Sequence, residues 1–209
     1  MRSPRTILAV CGLALTLGAC GGGGDEKAGE PTATTAEVSA AAQLERGEVA
    51  VHSAGADVAL DTAAQAAVMD VAQRYVDAAV LSPIVDGELG SDFPALFEDA
   101  LRERATTADA GALTDQGVPE ATGSPKVEAT PVRIDALADP AGTIVLLGAT
   151  FEIDVKAPSA GGEYRVHRAN DFTLAPGADG TWLVTGYRVV ATRELPDAPA
   201  TTTTAEAGA

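Results

Sequence analysis

The sequence predicts an α+β fold in which two N-terminal helices pack on a curved antiparallel sheet of about four strands. Three observations carry this expectation. Apolar residues recur at helical spacing from Val68 to Val80, the apolar period shortens to two beyond Lys126, and short turn sequences join the later runs. All aromatic residues fall between Tyr75 and Tyr187, so the folded part must span that interval.

The first clear element starts at Thr62. Thr62-Ala63-Ala64-Gln65 reads as a capping box, in which the Thr hydroxyl and the Gln side chain satisfy free amides of the first turn. Val68, Val71, Ala72, Tyr75, Val76, Ala79 and Val80 then form one apolar stripe. Ser82-Pro83 is expected to end the helix, because the α region is disfavoured before proline. A second helix is expected from Pro94 to about Arg104, with Leu96, Phe97, Ala100 and Leu101 as its apolar side. Thr106 to Pro125, rich in Gly, Asp, Thr and Pro, reads as a long loop with room for one helical turn.

The strands follow. Val132 to Ala138 is the first, Asp139-Pro140-Ala141-Gly142 a turn, and Thr143 to Val155 a long second strand. On that strand Val145, Leu147, Ala149, Phe151, Ile153 and Val155 point one way, with Thr150, Glu152 and Asp154 opposite. Glu163 to Leu174 and Thr181 to Glu194 complete the set. Their short connections require antiparallel neighbours.

The ends read differently. Met1-Arg2-Ser3-Pro4-Arg5 is basic, and the uncharged run Ile7 to Ala19 is shorter than the ~20 apolar residues of a membrane span. Residues 1–19 are therefore expected to be a secretory signal peptide. Leu17-Gly18-Ala19-Cys20 resembles the lipobox of bacterial lipoproteins. The resemblance implies a diacylglyceryl (palmitate-type) anchor on the Cys20 thiol, cleavage before Cys20, and a place on the extracytoplasmic face of the cell membrane. Two acyl chains hold stably where one is marginal. Cys11 would leave with the leader, and a modified Cys20 removes the oddity of a lone exported thiol. Residues 20–61 are expected to be a mostly flexible tether, in which Glu48 to His52 could form a short strand. Residues 62–194 are expected to be the folded domain, and 195–209, with two prolines and four consecutive threonines, a disordered tail.

The order helix, helix, curved meander, ending in Gly180-Thr181-Trp182-Leu183-Val184-Thr185-Gly186-Tyr187, resembles the nuclear-transport-factor-2-like cone. It looks most like the extracytoplasmic cone-like domains of actinobacterial lipoproteins and mammalian-cell-entry-associated membrane proteins. The likeness covers about Thr62 to Glu194. That family hosts enzymes, binding modules and interaction domains, so it does not choose a function.

Composition excludes several classes of function. The formal net charge is −16, and lower still once Arg2 and Arg5 are removed, so no nucleic-acid partner is expected. His52 and His167 are the only histidines and show no metal-ligand spacing, so no metal site and no cofactor is expected. A nucleophile motif is missing as well, and no catalytic residue is assigned.

One constellation could form a site. Tyr164, Arg168, Asn170 and Phe172 share one face of the third strand, where polar groups among apolar ones are costly unless paired. They could line a pocket in which Arg168 holds an anionic or carbonyl group; alternatively Arg168 pairs with a buried acid, or a bulge turns it outward. His167 and Asp171 lie on the opposite face, spaced like a hydrogen-bonded dyad. The expected function is a non-enzymatic lipoprotein domain that binds a small apolar ligand or an envelope protein beside the membrane. The alternative is a small cone-fold hydrolase or isomerase of the cell envelope.

Overall fold

The computed structural model describes residues 42–55 and 57–208. The expected signal peptide, Cys20 and the first part of the tether lie outside these residues. The described chain runs β1 (Arg46–Ser53), α1 (Thr62–Tyr75), a π-helical turn (Val76–Leu81), α2 (Ser82–Asp86), a 3₁₀ turn (Phe93–Leu96), α3 (Asp99–Thr106), α4 (Ala110–Leu113), β2 (Lys126–Ala129), β3 (Val132–Ala138), β4 (Ile144–Ser159), β5 (Gly162–Pro176), β6 (Trp182–Glu194) and β7 (Thr201–Ala207).

The fold class expected from the sequence needs correcting. The sheet has seven strands, not four, and it is mixed rather than antiparallel. Its order is β1-β3-β4-β5-β6-β7, with β2 also pairing β4. The helices are not N-terminal either, because β1 precedes them and pairs parallel to β3. Both extra edge strands come from segments read mainly as tether and tail, although the possible short strand at Glu48 to His52 lies within β1. Their sequences, Arg46-to-Ser53 and Thr201-to-Ala207, lack large apolar residues, so they gave no strong strand signal. An edge strand needs little burial, since backbone pairing to a neighbour supplies most of its contacts.

The tail joins the sheet through a turn. Ala198 N donates to the Leu195 carbonyl, and Asp197 takes a left-handed φ of 58°. Aspartate tolerates that region better than most residues. The prolines at 196 and 199 therefore punctuate a hairpin between β6 and β7 instead of marking disorder.

Helix α1 starts one residue earlier than its expected box. Asp61 is the N-cap, its Oδ1 accepting from Ala64 N at 2.6 Å, and Gln65 Nε2 donates to the Leu60 carbonyl. Pro83 does not end the helical path. The wider π-turn ahead of it frees carbonyls, and loop amides take them: Gly90 N donates to Ala78 O at 2.8 Å, Asp115 N to Ala79 O at 2.9 Å. The Ala79 carbonyl is the one a proline four residues later cannot bond and would crowd. The expected second helix splits at Phe97, which adopts extended backbone and bridges Val184. Arg102 holds that break by donating to the carbonyls of Pro94 and Phe97.

The core lies between the helices and one face of the sheet. Val68, Val71, Ala72, Tyr75 and Ile84 meet Ile134, Leu147, Phe151, Ile153, Phe172 and Val189. Edge-to-face contacts link Tyr75 to Phe172, Phe172 to Phe151, and Phe97 to both Phe93 and Tyr187. The alternation expected on the long second strand is present, except that Val145 is 37 % exposed. The other sheet face carries no helix among the described residues.

Candidate functional site

The strand period brings Tyr164, Arg168, Asn170 and Phe172 to the helix-covered face, as expected, and all four are buried. None of the four lines any of the clefts described below. Arg168 is fully buried and its guanidinium is held by the protein itself. Nη1 donates to Asp115 Oδ1 at 2.7 Å, and Nη2 donates to the Tyr75 hydroxyl at 3.0 Å and to the Ala112 carbonyl. Its Cζ lies 5.9 Å from the Tyr75 ring centroid. Of the alternatives open to Arg168, the buried ion pair with Asp115 is the one present.

A second arginine joins the cluster. Arg193, on β6, donates from Nε to Asp115 Oδ1 at 3.0 Å and from Nη1 to Thr203 Oγ1 at 3.0 Å. Its Nη2 donates to the carbonyls of Gly111 and Thr114. Two cations thus share one carboxylate, an unbalanced charge in a dry core. Helix α4 supplies the balance. Gly111 and Thr114 carbonyls accept from Arg193, Ala112 from Arg168, and Leu113 from the Tyr75 hydroxyl. The last carbonyls of a helix carry its negative dipole end and have no partner within it. Here two guanidiniums and a phenol take these carbonyls, so the end of α4 is satisfied by the side chains packed against it.

The electrostatics follow. Burial alone would lower the Arg168 pKa, but Asp115 and Tyr75 outweigh it and hold the guanidinium charged. Burial raises the Tyr75 phenol above its ordinary value, with Arg168 opposing. Tyr164 is pushed up to about 12 by burial and by the Asp115 charge. With these shifts neither phenol gives up its proton near neutral pH, and Arg168 stays a cation. Four atoms in this region find no partner among the described residues: Asp115 Oδ2, Tyr164 OH, Arg168 Nε and Asn170 Oδ1. Asn170 Nδ2 donates to the Phe151 carbonyl at 3.3 Å.

Asp115 and Tyr75 were not legible as site residues. Asp115 lies in a segment read as loop, and its partners stand 53 and 78 positions away. The signal was indirect: an arginine on an apolar face requires an acid somewhere in the chain.

The uncovered face holds the other polar groupings. His167 does not pair with Asp171. Its Nδ1 lies 3.2 Å from Asp154 Oδ2, directly across the β4–β5 ladder, while Arg165 Nε donates to Asp154 Oδ1 at 2.6 Å. The Arg165 bond is the main reason the Asp154 carboxyl titrates below its ordinary value; burial opposes it and His167 adds to it. Thr192 stands opposite His167 on β6, and together with Glu194 these residues line a cleft of about 320 Å³. The row of acid, imidazole and hydroxyl resembles a nucleophile relay, yet it lies across a sheet whose backbone amides serve the ladder. Two larger clefts lie elsewhere: one of about 560 Å³ among Pro119–Thr122, Ser159–Gly161 and Leu195–Ala198, and one of about 690 Å³ among β4, β5, β6, β7 and α3. None of the three touches Arg168 or its neighbours on that face.

Among the described residues no group of His, Cys, Asp and Glu is arranged to hold a metal ion. No described helix is long and apolar enough to cross a membrane. Comparison with family models, with curated proteins and with solved structures finds no match for the chain.

Proposed function

We propose that this chain is a bacterial lipoprotein, anchored through Cys20 to the extracytoplasmic face of the cell membrane, whose domain binds an envelope protein and performs no chemistry of its own. The anchor rests on Leu17-Gly18-Ala19-Cys20 behind a basic start and a short apolar run. The likeness to lipoprotein domains of the nuclear-transport-factor-2-like group belongs to the same proposal. It rests on the sequence from Gly180 to Tyr187.

One observation carries the choice of an adaptor over an enzyme or a carrier of small apolar molecules. The polar residue best placed to hold a ligand, Arg168, is enclosed by Asp115, Tyr75 and the end of α4. Recognition then falls to the exterior, where the bare sheet face presents alternating charges such as Arg133, Asp171, Arg188 and Glu206.

Two measurements test the reading. Cys20→Ser should leave an unprocessed precursor without the diacylglyceryl mass, and recovery of that mass on the variant would end the anchor proposal. Native mass spectrometry of the chain from residue 20, carrying Cys20→Ser, should give the bare polypeptide. A reproducibly retained small molecule would return the function to an interior ligand.

A further inference from the structure

Among the described residues strand β7 is the last strand of the sheet and has a neighbour on one side only. It pairs with β6 along its whole length, from Tyr187 opposite Ala207 to Arg193 opposite Thr201, without a register shift. An open edge is a template for another strand, and proteins normally guard it with lysine, proline, a bulge or a covering element. The opposite edge, β1, has such guards: a register shift between Arg46 and Val49, and the charged or polar side chains of Arg46, Glu48 and His52. Strand β7 has no proline, no lysine, no arginine and no bulge. Its sequence, Thr-Thr-Thr-Thr-Ala-Glu-Ala, has high strand propensity at the exposed end and a single charge.

We infer that β7 is the edge through which two copies of this chain pair, antiparallel, about a two-fold axis at Thr203. The register follows from one contact. Arg104, on α3, donates from Nη2 to the Glu206 carbonyl at 2.8 Å. Alternate residues of an edge strand turn their N–H and C=O groups away from the neighbouring strand, and Glu206 shares its parity with Thr202 and Thr204. With Glu206 already engaged, Thr202 and Thr204 remain to exchange backbone bonds with a second chain. An axis at Thr203 sets Thr202 of one copy against Thr204 of the other.

Side-chain chemistry selects a second copy as the occupant. In this register Thr202, Thr203 and Thr204 all face threonines, and Thr201 faces Ala205. Cross-strand Thr–Thr pairs are favourable, and a patch that meets itself is the ordinary basis of a two-fold dimer. Glu206 falls opposite Ala200, so no like charges meet at the seam. The long-range field opposes association, since each chain carries a formal charge of −16. Pairing should therefore strengthen as salt screens that repulsion.

The test uses the chain from residue 20 with Cys20→Ser, which keeps the compact unit holding every described residue and contains no cysteine. Two single-cysteine variants are made in it, Thr202→Cys and Thr204→Cys. Under mild oxidation the mixture should give a disulfide-linked dimer, and each variant alone at least roughly fivefold less, because like residues on the two copies lie beyond disulfide reach. Equal yields in all three samples, or none in the mixture, would overturn the proposal. Sedimentation velocity of the cysteine-free chain should show a dimer fraction that rises with concentration and with salt. Thr202→Lys/Thr204→Lys should abolish it while circular dichroism and the melting midpoint hold. A cysteine-free chain that stays monomeric to its solubility limit at high salt would equally refute the pairing.

Discussion

Asp115 and Arg168 stand 53 positions apart in the chain and meet in the core with no solvent exposure, Oδ1 accepting from Nη1 at 2.7 Å. Arg193 reaches the same oxygen from a neighbouring strand. The cluster therefore has a definite asymmetry: the acid is single and the bases are paired.

That asymmetry sets an order of mutational cost. Asp115→Ala leaves two buried guanidiniums facing each other and should cost about 3–5 kcal/mol or prevent folding. Arg168→Met leaves Asp115 paired with Arg193 and the Tyr75 hydroxyl still donating to the Leu113 carbonyl, so only the Ala112 carbonyl loses its partner. Its cost should be about 1–3 kcal/mol. Urea midpoints of the two variants check the order, and a larger loss for Arg168→Met would contradict the shared-carboxylate account.

The C-terminal strand should matter to stability. Ending the chain after Asp197 removes the partner of β6 and the Thr203 hydroxyl that accepts from Arg193, and uncovers the site of buried Ala205. The truncated chain is expected to lose more than about 2 kcal/mol. Denaturation of the two lengths side by side measures it. A difference below about 0.5 kcal/mol would mean that β7 is not part of the stable sheet.

Gly90 is where the loop after α2 touches the π-turn. A methyl group there would sit 2.6 Å from Ala78 Cα and 2.8 Å from Ala78 Cβ, while Gly90 N holds the Ala78 carbonyl. Backbone cannot retreat as a side-chain end can, so Gly90→Ala should cost about 1–3 kcal/mol. Gly111→Ala, inside α4 with nothing within 4 Å of the new methyl, should be neutral or stabilise by up to about 1 kcal/mol. Thermal melts of both variants supply the comparison.

Acid should weaken the exposed ladder at Asp154. Its carboxyl titrates below its ordinary value mainly because Arg165 donates to it, with His167 adding. A lowered folded value means stability that is complete above the unfolded carboxylate range near ~4 and is lost as pH falls through the lower folded value. Asp135 contributes in the same window: burial raises its pKa, but the bonds from His52 and Arg133 prevail. Asp154→Asn should therefore flatten the acid limb of stability against pH. Urea midpoints from pH 6 downward give the slope, and an unchanged slope would show that Asp154 adds nothing there.

Much of the fold was readable from local pattern. The stripe from Val68 to Tyr75 and the alternation along the later strands are each set by residues close in sequence, and their periods match α1 and the strands that form. The same alternation placed Tyr164, Arg168, Asn170 and Phe172 on one buried face before any partner was known. A pleat has a strict period of two, and nothing distant is needed to apply it.

What local pattern could not carry was everything that depends on a distant partner. Strands β1 and β7 have weak signals of their own and exist because β3 and β6 offer them an edge. Pro83 stays within a helical path because Asp115 N, remote in sequence, takes the Ala79 carbonyl that the proline leaves free. Arg168 became a structural cation and not a ligand-binding one because the fold brings Asp115 and the end of α4 against it. Burying a charge is costly by several kcal/mol unless its counter-charge arrives with it, and that arrival is decided by topology.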